Sequence, residues 1–391
     1  KKLKLSTLLI GSSLAVMGAK ASAAALEEVV VTATKRSQGQ SVNDIPMSIQ
    51  AFSADVLKNN GVSDAASLVQ ITPGLTFAKS AANTPIFTLR GIGFNTNNMS
   101  STSTVGIYVD ELAYAYPYMA NGALFDMERV EVLKGPQGTL YGRNTTGGLV
   151  NFITNKPSQE FEAGVTAEVG NFQTTNFEGF VNAPISDKAA FRLAARVDQR
   201  NDGYQHSVTR DETNGEKDTF ALRASLNWEV NDDLNVLVSA SHWSDESDSV
   251  APQIVGLNPD VPPFVTPQIA ATLGRDWDND TADWDPNGGV NGDGFATDSD
   301  FTSVSARIDY DINDSLKLVS LTGYNEVNRI DSNDQDGTNI EIFFNEADGE
   351  IESFSQELRL VGDYDKLHYV LGAYYSNDEI VDNNVGSYDQ S

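Results

Sequence analysis

Few side chains in this sequence have the chemistry of a catalyst. Cysteine is absent, which removes thiol nucleophiles, disulfides and thiolate metal sites. The three histidines, His206, His242 and His368, are too far apart in sequence to suggest a ligand set. The glycine-dense stretch at 135–154, GPQGTLYGRNTTGGLVNFIT, has neither a G-x-x-x-x-G-K-[ST] pattern nor a strand–GxGxxG–helix setting. It marks tight turns rather than a phosphate cradle. The segment 276–300 holds eight Asp and no Lys or Arg, with Trp277 and Trp284 among them. Its oxygens would suit Ca²⁺, but no EF-hand loop is present, so it reads as a hydrated acidic surface loop. No catalytic residue and no metal site are assigned, and the chain is expected not to be an enzyme. What the sequence offers is binding chemistry. Phe94, Asn95, Asn97 and Asn98, then Tyr114, Tyr116 and Tyr118, supply rings and amides without charge, suited to a bulky polar ligand. The tyrosines serve equally to pack one part of a protein on another.

Composition narrows the class. In 391 residues, 26 Lys and Arg stand against 55 Asp and Glu, for a net charge of −29. A nucleic-acid partner needs a basic face and is excluded. Hydrophobic residues at 40% and aromatics at 9% are enough to build a core. The chain opens with Lys1, Lys2 and Lys4, a short apolar run, and Ala21-Ser22-Ala23, the pattern of a secretory signal peptide over residues 1–23. Beyond it there is no apolar run of about 18 residues for a spanning helix.

Three textures follow. Residues 24–44 contain EEVVVTAT and then a polar linker. The β-favouring residues there have no partner strand in view, so the segment reads as a strand waiting for another sheet edge. Residues 45–157 read as mixed α+β. Strands are expected near 45–51, 86–90, 105–109 and 129–133, with a helix started by Ser53 and stopped at Gly61 and a second capped by Ser63. From 158 to 391 strict alternation takes over. Phe191, Leu193 and Val197 interleave with Arg192, Arg196 and Asp198; Val304, Ile308 and Tyr310 interleave with Ser305, Arg307 and Asp309. Short turns such as Ser186-Asp187 and Asn313-Asp314 alternate with long connections near 203–216, 245–300 and 331–350. About nine such strands are expected, and the pattern is that of a transmembrane β-barrel.

Four stretches, in order, then carry a resemblance. EEVVVTAT at 27–34 resembles a TonB box. IPMSIQAFSADVL with LVQITPGL resembles the start of a plug domain, and FTLRGIG and VEVLKGPQGTLYGRNTTGGLVNFITNKP resemble its core motifs. SFSQELRL at 353–360 resembles a barrel strand. The set is similar to the TonB-dependent outer-membrane receptors. The resemblance implies a membrane β-barrel of the 22-stranded type with an α+β plug in its lumen, truncated here to about nine strands, since so few strands cannot enclose a plug. It implies the outer membrane of a Gram-negative bacterium, contact with outer-membrane lipid, and a monomer. The implied function is TonB-dependent active import of a scarce large nutrient, foremost a ferric siderophore. Vitamin B12, haem or an oligosaccharide are other cargoes, and a non-transporting surface binding protein or a passive porin is the alternative. No cofactor is implied, iron entering only within the transported complex.

The resemblance also assigns residues. Glu27, Glu28, Val29, Val30, Val31, Thr32, Ala33 and Thr34 would pair as a strand with TonB, which conveys energy from an inner-membrane complex. Arg90 and Arg143 would latch the plug to Glu357, which alternation with Phe354 and Leu358 sends into the lumen. Ligand contacts would come from Phe94, Asn95, Asn97, Asn98, Tyr114, Tyr116 and Tyr118.

Overall fold

The computed structural model describes residues 30–388 except 33, 37–39, 42–44, 81–83, 97, 123, 254–279, 286–287, 289–294 and 340–342. Residues 1–29, which include the expected signal peptide at 1–23, lie outside the described residues.

The first body begins with a short hairpin, β1 (Val30–Val31) and β2 (Gln40–Ser41), followed by β3 (Ser48–Ser53) and α1 (Ala54–Asn59). Ser53 holds the N-cap position in extended backbone, and Gly61, at φ 65°, turns the chain away after the helix. The expected second helix is only a 3₁₀ turn, Ser67–Gln70. Asp64 starts it by accepting Ser67 N at 2.7 Å, in place of the expected Ser63 cap. Hairpin β4 (Leu75–Lys79) and β5 (Pro85–Leu89) follows, then β6 (Val105–Val109), β7 (Leu112–Tyr114), β8 (Met127–Lys134), α2 (Gly138–Tyr141) and β9 (Gly148–Thr154). One mixed sheet runs β3-β8-β9-β6-β7, and its central β9 is buried at every residue. Gly148 needs to be glycine: its φ is 137°, and a Cβ would collide with the Leu133 carbonyl oxygen.

The partnerless strand expected at the N-terminus is corrected. Val30 pairs with Ser41 and Val31 with Gln40, because the polar linker folds back and supplies the missing edge. Val31 is fully buried beside Ile49, Tyr108, Leu133 and Leu149.

The second body is one antiparallel sheet of nine strands: β10 (Glu162–Val169), β11 (Thr174–Ser186), β12 (Ala189–Arg200), β15 (Lys217–Asn231), β16 (Leu234–Asp245), β18 (Thr297–Asn313), β19 (Leu316–Asp334), β20 (Phe343–Tyr364) and β21 (Leu367–Tyr388). Three short strands, β13 (Gln205–Ser207), β14 (Thr213–Asn214) and β17 (Thr281–Ala282), form a small sheet in the long connections. Two-residue turns join the strands at one end; at the other the β10–β11 connection has four residues and the later ones are longer. Strands β20 and β21 reach 22 residues each, well past the ~9–11 that a tilted strand needs to cross a bilayer. Alternation holds: Phe354 and Leu358 are 40% and 46% exposed on the outer face, while Ser355 and Arg359 between and beside them are buried on the inner one. Among the described residues no helix is long and apolar enough to cross a membrane, so crossing falls to these strands.

The mixed sheet packs on the inner face of the wall. Tyr114 meets Phe301 of β18 edge-to-face at 5.1 Å, and Phe301 stacks on Trp243 of β16 at 5.8 Å. Leu112 comes so close to Gly323 of β19 that any Cβ there would overlap it. Gly323→Val is therefore expected to destabilise the docked plug by about 1–3 kcal/mol through overpacking. The check is the unfolding midpoint of the detergent-solubilised protein, and Leu112→Ala in the same chain should recover part of the loss.

Candidate functional site

The site is built on a two-residue turn. Asp110 and Glu111 join β6 to β7, with φ of 51° and 69°. Positive φ at both positions is the type I′ hairpin geometry, and for non-glycine residues it costs on the order of 1 kcal/mol or more each. Asp110 holds the turn: its Oδ1 accepts Thr154 N at 3.0 Å, its Oδ2 accepts Thr154 Oγ1 at 2.7 Å, and Lys156 pairs with it. Glu111 is thereby aimed at the wall.

There Arg307 Nη1 donates to Glu111 Oε1 at 3.1 Å, and Arg359 Nη2 lies 2.5 Å from Oε2. Arg307 is also forked onto Asp309 at 2.7 and 3.0 Å. Arg359 Nε lies 3.3 Å from Glu357 Oε1, and Glu357 receives Lys35 Nζ at 3.0 and 3.1 Å. Lys35 belongs to the N-terminal segment and sits 4.7 Å from the Tyr141 ring centre. Three acids, Glu111, Asp309 and Glu357, thus meet three bases, Lys35, Arg307 and Arg359. Glu111, Lys35 and Arg359 are only 7%, 5% and 3% exposed. Burial pushes the Glu111 carboxyl up, but Arg307, Arg359 and Lys35 outweigh it and hold the pKa at about 2. For Lys35 burial prevails, pulling its ammonium below the ordinary lysine value despite Glu357. A cavity of about 650 Å³ adjoins the network, lined in part by Lys35, Glu111, Tyr141, Arg143 and Arg359.

The N-terminal segment has a second tie. Glu131 of β8, fully buried, accepts Thr32 N at 2.9 Å and Arg129 Nε at 2.8 Å. A separate anchor fixes the other side of the mixed sheet. Arg192 of β12 grips Asp126 through two bonds, at 2.8 and 2.5 Å, and Arg223 of β15 donates to the Phe125 carbonyl at 3.1 Å.

Comparison with known proteins fits this architecture of a mixed sheet inside a strand wall. Residues 41–149 match the TonB-dependent Receptor Plug Domain. The chain is 27% identical over 234 residues to the iron-regulated outer membrane virulence protein of Vibrio cholerae, covering 55% of this chain and 33% of that one. It is 29% identical over 179 residues to the pesticin receptor of Yersinia pestis, covering 45% and 26%. The ferric yersiniabactin uptake receptor of Yersinia pestis superposes with a TM-score of 0.68 at 18% identity, over 88% of this chain and 50% of that one. A Pseudomonas aeruginosa ferripyoverdine-bound receptor gives 0.70 at 16% identity, over 92% and 45%. Residues 41–149 are thus a TonB-dependent receptor plug domain, and the chain is similar to TonB-dependent receptors beyond it. It is a plugged β-barrel protein of the outer membrane, and it spans about a third of the length of the first curated relative and about half of the solved structures it matches.

The receptor's expected latch is rearranged. Glu357 does face the lumen, but its partners are Lys35 and Arg359 rather than Arg90 and Arg143. Arg90 stays within the plug, donating to Ser48 Oγ at 2.8 Å, because its own φ of 53° turns it off the strand line. Arg143 does reach the wall, at Asp378, 2.7 Å away. Of the expected ligand contacts, Phe94 is 51% exposed, Asn95 and Asn98 are exposed, and Asn97 lies outside the described residues. The tyrosines are buried: Tyr114 on Phe301, Tyr116 toward Asp378, and Tyr118 under Arg329 at 4.3 Å. In this conformation they pack plug on wall, and Tyr114 also lines the cavity beside the network. Of the expected TonB-pairing residues, Val30, Val31, Thr32 and Thr34 are described, while Glu27, Glu28, Val29 and Ala33 lie outside the described residues. Sequence reading missed Lys35, Glu111, Arg307, Asp126 and Arg192. The visible signal was the repeated arginine on the inner face of alternating strands.

Glu111→Gln removes one charge facing the buried Arg359 and the half-buried Arg307 and is expected to cost about 3 kcal/mol. The sign with pH follows from the depressed pKa. The carboxylate's contribution is complete above its ordinary value near 4.5 and is lost as pH falls toward about 2. Denaturant unfolding of wild type and Glu111→Gln at pH 7 and pH 3 checks both: the gap between them should shrink at the lower pH.

Proposed function

We propose that this receptor takes part in TonB-dependent import of a ferric siderophore across the outer membrane. The observation that carries the reading is the tie between the N-terminal segment and the barrel: Lys35 Nζ on Glu357, within the same buried network that holds Glu111. A periplasmic partner pairing with residues 27–34 by strand addition would gain main-chain hydrogen bonds. Pulling on that strand would load Lys35 and Thr32 before it loaded the rest of the plug. Ion pairs suit such a joint, since water can replace each partner's bonds as they part. The iron-related names of the relatives support the cargo class, with vitamin B12, haem or an oligosaccharide less supported. In this reading residues 1–23 are a signal peptide, 24–44 the TonB box and linker, 45–157 the plug and 158–391 barrel wall. The receptor acts as a monomer in outer-membrane lipid, has no catalytic role, and carries iron only inside its cargo.

A passive porin or a surface binding protein needs no such segment. Deletion of residues 27–34 is therefore expected to abolish energy-dependent uptake while ligand binding at the cell surface persists. The measurement is radiolabelled-iron accumulation from a panel of ferric siderophores, in cells whose own receptors have been removed. Uptake surviving the deletion would sink the energised mechanism. Val30→Pro should mimic the deletion, because proline removes a strand donor. Lys35→Gln should expose the segment without ligand. The chain has no cysteine, so the reagent-labelling rate of a single Thr34→Cys reports this directly, and it should rise in the Lys35→Gln background.

A further inference from the structure

The cavity beside the buried network lies between plug and wall, and small side chains on both sides make room for it. Interiors are close-packed, so a void of about 650 Å³ is far more than loose fit leaves behind. On the wall, β21 presents Gly372 and Ser376 to the cavity, opposite Arg359 and Ser355 of β20. On the plug, α2 is only four residues long, and a Cβ added at Gly138 or Gly142 would meet nothing within 4 Å. The lining is nearly balanced in charge: Lys35, Arg143 and Arg359 stand with Glu111 and Glu357. Ions in such a lining keep water around them, so the chamber suits a polar solute and not an apolar one. Its volume falls within the roughly 300–1,000 Å³ of a site for one small molecule.

The two sides of the plug are held differently. Toward β12–β16 the contacts are buried and packed. The Arg192 and Asp126 side chains are 6% and 4% exposed, Arg223 lies over the Phe125 ring at 4.4 Å, and Trp243 fills the space against Gly122. Parting them would strip buried charges of their partners. Toward β20 and β21 the ties are ion pairs at the cavity: Lys35 on Glu357, and Arg143 on Asp378. The first is the one that a pull on the N-terminal segment loads. The Arg143 side chain is 56% exposed, so water already reaches the second and can take over its bonds as it opens. We propose that the chamber is the way past the plug: a polar cargo crosses between α2 and strands β20–β21, the plug yielding on that side while its β12–β16 side stays fixed. This rests on the import reading and adds the place of passage.

The test compares two bridges in a chain that has no cysteine of its own. Arg143→Cys with Asp378→Cys, joined by a short bifunctional thiol reagent, ties the end of α2 to β21. Gly122→Cys with Trp243→Cys ties the plug to β16 by a disulfide; a Cβ at Gly122 lies 2.9 Å from that of Trp243, and a small shift brings the pair to bonding geometry. Radiolabelled-iron accumulation and surface binding are measured with a panel of ferric siderophores, before and after bridging, in cells whose own receptors have been removed. Each variant's unbridged uptake shows that it folds. The first bridge should lower accumulation at least about tenfold and leave surface binding intact, whereas the second should leave both unchanged. Gly372→Leu, which fills the chamber from the wall with no bridge, should also lower accumulation and spare binding. Accumulation that survives the first bridge, that falls equally with both, or that is indifferent to Gly372→Leu overturns the one-sided passage. Wild type that accumulates iron from no member of the panel overturns the import reading, and the passage with it.

Discussion

A carboxylate kept charged away from water must be answered by charge, and at Glu111 the answer comes from three separate parts of the chain. The N-terminal segment contributes Lys35, and strands β18 and β20 contribute Arg307 and Arg359. No pair among these would hold alone, because the cost of removing each ion from water rivals the attraction it gains. The balance of three acids and three bases is what makes the arrangement tolerable. It also makes it conditional: withdraw Lys35 and Glu357 loses a donor while a net negative charge remains in a low-dielectric pocket. The turn that presents Glu111 would not be chosen for its own sake, with two non-glycine residues at positive φ. The bonds from Thr154 and Lys156 to Asp110 offset that strain, so plug geometry and network charge depend on each other.

The remainder of the interface divides by chemistry along the lumen. Toward the turn end of the strands lie Glu111 on Arg307 and Arg359, and Asp126 on Arg192. Toward the loop end lie rings: Tyr114, Phe301 and Trp243, with Tyr118 against Arg329. Apolar burial of this kind is non-directional and holds through small shifts, whereas a bidentate pair has one geometry. Among the described residues the Asp126–Arg192 fork has no bond to the N-terminal segment, whereas Glu357 has a direct one through Lys35. On the proposed transport reading, force arriving from the N-terminus reaches one side of the plug first, and the Asp126 side serves as the fixed edge.

The elements were legible where periodicity was strong. Alternation along residues such as 303–310 and 353–360 marked both the wall strands and their inner faces, and β6 begins and ends where its Val/Ile/Tyr run does. The motif-dense plug was legible as a family pattern. The site was less so, for physical reasons. Asp110-Glu111 lacks the Asn-Gly or Asp-Gly signature that usually marks a type I′ turn, so nothing local announced that Glu111 would leave the sheet. Lys35 lies in a polar linker, where composition suggests solvation; its burial is imposed by Tyr141 and Glu357, one of them 322 residues away. Arg90 failed as a latch because backbone conformation, invisible in residue type, turned it aside. The acidic loop was legible in part: Asp280 and Asp298 are exposed, as a run of Asp suggests, whereas the fold covers Asp283 and Asp285.

The N-terminal hairpin gains meaning from its size. β1 and β2 pair over only two residues each, and such a ribbon has little stability of its own. An incoming strand from a partner could displace β2 at small cost and extend the pairing along residues that the hairpin leaves unmatched. What resists is not the hairpin but its attachments: Val31 buried beneath Tyr108 and Leu149, Thr32 N on Glu131, and Lys35 on Glu357. Two of these three are bonds to carboxylates, one fully buried and one half-buried, and the Lys35 bond belongs to the Glu111 network. The accessibility of the segment is therefore set by the electrostatics of the plug–wall interface rather than by the local β-propensity of Val30 and Val31. Any event that rearranges β18 or β20 around Arg307 and Arg359 changes the hold on Lys35, and with it the exposure of the strand that a periplasmic partner would grasp.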